Sequence, residues 1–265
     1  MNISALQTAS GGSAFPETAS GDPLPLFYWL PVIDGELIPD QLHTLFATGQ
    51  FAHVPTLVGH VTNEGSWFAN NASSAAEVSS FLRANYPHLK ETQLEKINHQ
   101  YANMAPLPGH AAFFPSASAA YGDATFACPA HDIASAVARF VGVAKAWSYR
   151  YNVLDPGNVS GGYGVPHTFE TSAVFGPGQA GWAASSYYTI NAPIVPVVMG
   201  YWASFVRSLN PNIYKHPGSP DWETWGNSSG SQLRLQTNNT GMEVVPDWQV
   251  RNCTMWRHFA STMEL

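Results

Sequence analysis

The sequence predicts an α/β domain, with helices flanking a mixed and mostly parallel sheet, on three observations. The run VPTLVGHV at 54–61 is apolar on both faces, as a strand buried inside a parallel sheet is. Segments 75–85, 91–102 and 130–144 carry apolar residues at helical spacing. Strand-like and helix-like segments alternate along the chain instead of grouping by type, which is the α/β pattern. The 265 residues, 45% of them hydrophobic, can bury one large core. Only 11% are charged while 13% are aromatic, the reverse of a disordered composition.

Taken in order, residues 1–25 are small and polar, broken by Gly11, Gly12, Pro16, Pro23 and Pro25, and read as a loop or frayed lead-in. An aromatic and β-branched run at 26–33 stops at the turn signal Asp34-Gly35. One or two helical turns are expected at 42–48. The strand at 54–61 ends at Asn63-Glu64-Gly65, and the three helical segments follow, the last with Ile133, Ala136, Val137 and Phe140 on one face. A second strand at 147–154 runs into a glycine-rich loop, 157–164, and then Pro166-His167. Residues 196–208 read as an apolar helix that tolerates Pro196 in its first turn. A strand is expected at 232–236, and a last helix from about Asp247, with Val250, Cys253, Met255 and Phe259 as apolar contacts. No repeat or interior linker divides the chain.

Eleven basic against eighteen acidic residues leave a net charge of −7, and the first Lys or Arg is Arg83. Such a chain lacks the cations needed to displace phosphate counterions, so nucleic acid is excluded as a partner. The longest apolar stretch, 192–206, contains Pro193 and Pro196 and is too short to span a bilayer. Asn-x-Ser/Thr sequons start at Asn2, Asn71, Asn158, Asn227, Asn238 and Asn252, a pattern of secreted glycoproteins. Residues 1–15 have neither a basic start nor an apolar stretch, so no signal peptide is expected in this chain. Cys128 and Cys253 can bridge in an oxidising compartment or stay as two buried thiols. No cofactor is implied and no metal site is expected: His53 and His60 are seven apart, and no H-E-x-x-H string occurs.

Hydrolytic chemistry on an α/β sheet draws its acid and base from loops at the C-terminal ends of strands. Glu64 and His167 each stand on such a loop. A carboxylate accepting from imidazole Nδ1 fixes the tautomer and stabilises the imidazolium. A turn carboxylate and a backbone-bonded loop histidine fit the same spacing. One string, 226–230, matches the nucleophile elbow G-x-S-x-G, but a Trp-rich polar coil precedes it and it follows both Glu64 and His167. Ser228 is therefore rejected as nucleophile.

Several segments resemble type-B carboxylesterases, the family of cholinesterases and fungal esterases and lipases. PVIDGELIPD (31–40), VPTLVGHVTNEGSWF (54–68), GVPHTFETSAVFG (164–176) and YWASFVRSLNPN (201–212) are similar to family segments and occur in family order. The resemblance covers residues 26–265 and implies the C-terminal half of an α/β-hydrolase fold, incomplete without its N-terminal part. It places the family's acid on Glu64 and its histidine on His167, and puts Trp67 and Phe68 where relatives line the acyl pocket. Glu170 falls on the family's second acidic position and reads as a structural anchor. TFACP and NCTMWRHF resemble the segments of a long-range disulfide, which implies a Cys128–Cys253 bridge. Family members carry the nucleophile and oxyanion-hole glycines upstream of everything seen here. The expectation is thus part of a secreted serine carboxylic-ester hydrolase, inactive by itself, with the missing half as a candidate partner. The alternative is a non-catalytic cholinesterase-like adhesion protein or a truncated pseudoenzyme.

Overall fold

The computed structural model describes residues 2–10, 26, 30–102, 104–226 and 230–264. Its strands, β1 (Thr56–Val61), β2 (Ala146–Tyr151), β3 (Ser231–Leu235) and β4 (Gly241–Val244), form one sheet in the order β1-β2-β3-β4. The first three run parallel, and β4 returns antiparallel to β3. Among the described strands β1 therefore stands at one edge. Gly59 sits opposite Tyr149 because there is no room for more: a Cβ would come within 2.3 Å of the Tyr149 carbonyl oxygen.

The helices in chain order are α1 (Ile3–Ser10), α2 (Leu42–Thr48), α3 (Ala75–Asn85), α4 (Glu91–Gln100), α5 (Phe114–Gly122), α6 (Cys128–Phe140), α7 (Pro156–Ser160), α8 (Thr171–Phe175), α9 (Ile194–Ser208) and α10 (Asp247–Met263). Side chains alternate across a strand, so each face of the sheet has its own core. On one face Val58 and Ala146 pack with Ala134 and Val137 of α6. On the other, Val61, Tyr151, Leu233 and Leu235 meet Ile194, Val198 and Tyr201 of α9. A third cluster joins α3, α4, α5 and α10 beside the sheet, around Phe81, Leu94, Ile97, Tyr121 and Trp256. Fully burying a side chain such as Leu94 or Ile97 contributes about 2 kcal/mol. Cys128, at the start of α6, is disulfide-bonded to Cys253 of α10, 125 residues away.

The structure departs from the sequence reading in several places. Residues Ile3–Ser10 are helical rather than frayed, with Asn2 Oδ1 accepting from the Ser4 N–H at the helix start. In the aromatic and β-branched run at 26–33, which the sequence assigns to no element, Leu30, Val32 and Ile33 are exposed and lie outside any strand. β2 stops at Tyr151, short of 154. Helix α5 went unread because FPSASAAYG, with small residues between its aromatic ends, is buried on nearly every side, so it shows no polar face to set a period. It continues into α6 through a π-helical turn, Asp123–Ala127. Strand β4 is four residues at a sheet edge, mostly half-exposed, and carries no burial pattern. Val250 is exposed, and α10 instead buries Gln249, Asn252, Cys253, Trp256 and Phe259. Of the rejected elbow string, Asn227, Ser228 and Ser229 lie outside the described residues.

Candidate active site

β1 and β2 end side by side, and each hands the chain to a loop that carries one candidate group. On the first, the Thr62 N–H donates to the Tyr151 carbonyl at 3.0 Å, which keeps the two strand ends in register. Glu64 then opens a single 3₁₀ turn, Glu64–Trp67. That turn lies against α5 because residue 65 is glycine: a Cβ there would stand 2.0 Å from the Ser118 carbonyl oxygen. Glu64 is buried, with one carboxylate oxygen, Oε1, accepting the Val61 N–H at 2.7 Å. The other, Oε2, lies 2.5 Å from His167 Nδ1.

The second loop is longer and is tied back to the first by Asn63. The Asn63 N–H donates to the Val165 carbonyl at 3.0 Å, and Asn63 Oδ1 accepts the Val165 N–H at 2.9 Å. Gly164 makes this possible. Its φ of +63° is left-handed, and a Cβ would meet Asn63 Oδ1 at 2.2 Å. A one-residue parallel bridge between Asn63 and Pro166 follows, and His167 is the next residue. Its ring packs between Phe68 and Phe126, with centroids 5.1 and 4.6 Å away.

The geometry sets the electrostatics. The hydrogen bond to Glu64 holds the His167 pKa above the ordinary imidazole value, against burial, which pulls it down. With a carboxylate as acceptor, Nδ1 carries the proton and Nε2 is left as the basic nitrogen. Glu170, three residues on, is pushed up to about 7 by burial, and Glu64 adds to that rise. Its Oε2 has no hydrogen-bond partner among the described residues. A ring so oriented can take a proton from a nucleophile and return it to a leaving group. Among the described residues no hydroxyl is hydrogen-bonded to the His167 ring; the Thr168 hydroxyl donates to the His167 backbone carbonyl instead.

The other candidates named from the sequence scatter. Phe68 touches the His167 ring, whereas the neighbouring Trp67 is 51% exposed. Asn71 and Asn238 are exposed and Asn158 is half-buried. Asn252 is buried, its amide donating to Asp123 at 2.9 Å and its Oδ1 accepting from Gln100, so the folded chain offers no glycan acceptor there. Asn227 lies outside the described residues. Sequence reading missed Asn63 and Phe126. Asn63 was visible only as a turn residue, and Phe126 sits in the π-helical turn, whose inward face no period marks.

Comparison with known proteins bears on all of this. Residues 12–256 match the carboxylesterase family. Secreted lipase 4 of Gibberella zeae is 28% identical over 219 residues, covering 79% of this chain and 37% of the lipase. Acetylcholinesterase of Bungarus fasciatus is 26% identical over 247 residues, 88% of this chain and 39% of the enzyme. The crystal structure of Aspergillus niger EstA superposes with a TM-score of 0.93 at 50% identity, covering all of this chain and 51% of EstA. The chain thus spans about two fifths of the length of these two relatives and half of EstA, an esterase of the α/β-hydrolase fold. No helix among the described residues is long and apolar enough to cross a membrane.

Proposed function

The chain belongs to the carboxylesterase family, and we propose that it supplies the acid and the base of a secreted serine carboxylic-ester hydrolase. The carrying observation is the 2.5 Å contact between Glu64 Oε2 and His167 Nδ1 at the ends of adjacent parallel strands. In this reading Glu64 orients the ring, and His167 Nε2 takes the proton of a serine that lies outside these residues. The serine attacks the ester carbonyl and expels the alcohol, which takes the proton from His167. Water, deprotonated by the same ring, then releases the acid. The substrate is a carboxylic ester whose acyl group is apolar, placed near Phe68, with Trp67 at the rim. Without that serine and its oxyanion donors the 265 residues do not turn over esters. Secretion fits the disulfide and the exposed sequons at Asn71 and Asn238. An adhesion role uses neither Glu64 nor His167, and the bonded pair favours the enzyme.

The test joins this chain to the part of Aspergillus niger EstA that it does not cover. The fusion is expected to release p-nitrophenol from short-chain esters and to lose that activity in His167→Ala. The 265 residues alone are expected to release none. A folded fusion without His167-dependent turnover contradicts the reading, and so does turnover by the chain alone that depends on Ser228.

A further inference from the structure

Backbone groups along a strand alternate in direction. The Thr62 N–H points to β2, where it meets the Tyr151 carbonyl, so the N–H and C=O of Val61 face the opposite way, toward the outer edge of β1. Both are nevertheless bonded, and by side chains. Glu64 Oε1 accepts the N–H at 2.7 Å. His60 Nδ1 lies 2.9 Å from the carbonyl oxygen. A carbonyl only accepts, so His60 carries its proton on Nδ1.

His60 sits at an unexpected place for an imidazole. It is 3% exposed on a strand that otherwise reads Thr-Leu-Val-Gly and Val, and its Nε2 has no partner among the described residues. An orphaned buried acceptor costs about 1–3 kcal/mol, which an apolar residue at this position would avoid. What an apolar residue cannot do is hold the Val61 carbonyl. With C=O fixed by His60 and N–H by Glu64, the backbone of the last β1 residue is set at the point where ladder pairing ends and the turn to Glu64 begins.

We propose that His60 is a positioning residue for the Glu64–His167 pair, acting through the two backbone groups of Val61. The inference rests on the reading of that pair as the hydrolase's acid and base. Four groups face His60: the His131 ring from α6, 5.4 Å away, Arg150 of β2, Glu243 of β4, and Glu64 itself. Burial holds its pKa below the ordinary value and Arg150 adds to that, while the bond to Val61 and the two carboxylates oppose it. The ring is thus a neutral, fixed donor across the range in which His167 titrates.

The experiment is nitrogen-edited NMR of the imidazoles in the 265-residue chain, followed through a pH titration. In the unmodified chain His60 is expected to stay neutral with the proton on Nδ1. In His60→Leu the proton affinity of His167 is expected to fall at least threefold, a shift of ~0.5 pKa unit, and its hydrogen-bonded Nδ1 proton to move upfield. His60→Asn, whose amide nitrogen falls where Nδ1 does, is expected to restore most of that loss. An unchanged His167 in folded His60→Leu overturns the proposal. So does a His60 that protonates alongside His167 or carries its proton on Nε2, which is read without any variant. Glu64→Gln in the same titration separates the two ideas. If it lowers the His167 pKa and His60→Leu does not, only the role of His60 fails; if neither moves it, the reading of the pair fails as well.

Discussion

His131, on α6 against one face of the sheet, and His167, beyond β2, both lie among aromatic rings but hold a proton with opposite strength. His131 packs on Trp225 and His60, with ring centroids 5.1 and 5.4 Å away, and burial pushes its pKa down to about 3. Among the described residues no carboxylate bonds to it: neighbouring Asp132 is paired with Arg257. Its Nε2 bonds to Gln232 at 3.3 Å and its Nδ1 lies 3.9 Å from Cys253 Sγ. His167 has a comparable aromatic setting, and the buried Glu64 carboxylate bonded to it, with Glu170 adding to the effect, raises its pKa instead. Aromatic packing makes a histidine a core residue; a positioned carboxylate makes it a base.

The contrast can be broken at either end. At the His131 end, replacing both cysteines with serine removes a crosslink that closes a loop of 125 residues, and is expected to lower stability by about 5 kcal/mol in the chain-entropy account. Denaturant unfolding measures it, and His131 is expected to remain neutral, since Trp225 and His60 still pack on its ring. At the His167 end, Gly65→Ala drives a methyl into the Ser118 carbonyl and is expected to cost about 3 kcal/mol. Here the two regions should separate, with the His167 pKa falling toward the ordinary value while His131 is unmoved.

Asn63→Ala cuts the tie between the loops at the Val165 N–H, with an expected cost of about 2 kcal/mol. Amide exchange at Val165 should accelerate far more than in the sheet. The smallest effects are opposite pH slopes, each at most about 1.4 kcal/mol per pH unit. A native His131 that stays neutral binds fewer protons than the unfolded chain, so its contribution is lost as pH falls from about 6.5 toward 3. His167 binds its proton more tightly when folded, so its contribution is present at low pH. It is lost as pH rises through the folded pKa, above the ordinary imidazole range. Stability curves of His131→Phe and His167→Phe against pH should each lose one slope and keep the other.

The same contrast marks what was legible in the sequence. Glu64 and His167 were found by motif, and β1, β2 and α9 by apolar pattern. Nothing in a separation of 103 residues shows that the two side chains touch. Asn63 and Gly164 achieve that contact through a backbone tie between loops, a device with no periodicity. His131 and His167 look alike in sequence, since proton affinity depends on which carboxylate the fold delivers. His60 could be read only as one letter in a buried strand, because its use depends on which way the Val61 peptide faces. Helix α5, buried on nearly every side, escaped because it has no polar face to reveal a period, and β4 because four half-exposed edge residues are too few to show one.

The most direct test of the account is the NMR titration of His167 in the unmodified chain and in Glu64→Gln. A paired base is expected to show a deshielded Nδ1 proton and a pKa above that of a free imidazole, both lost in the variant. A His167 that titrates identically in the two proteins would contradict the acid–base pair on which the proposed esterase chemistry stands.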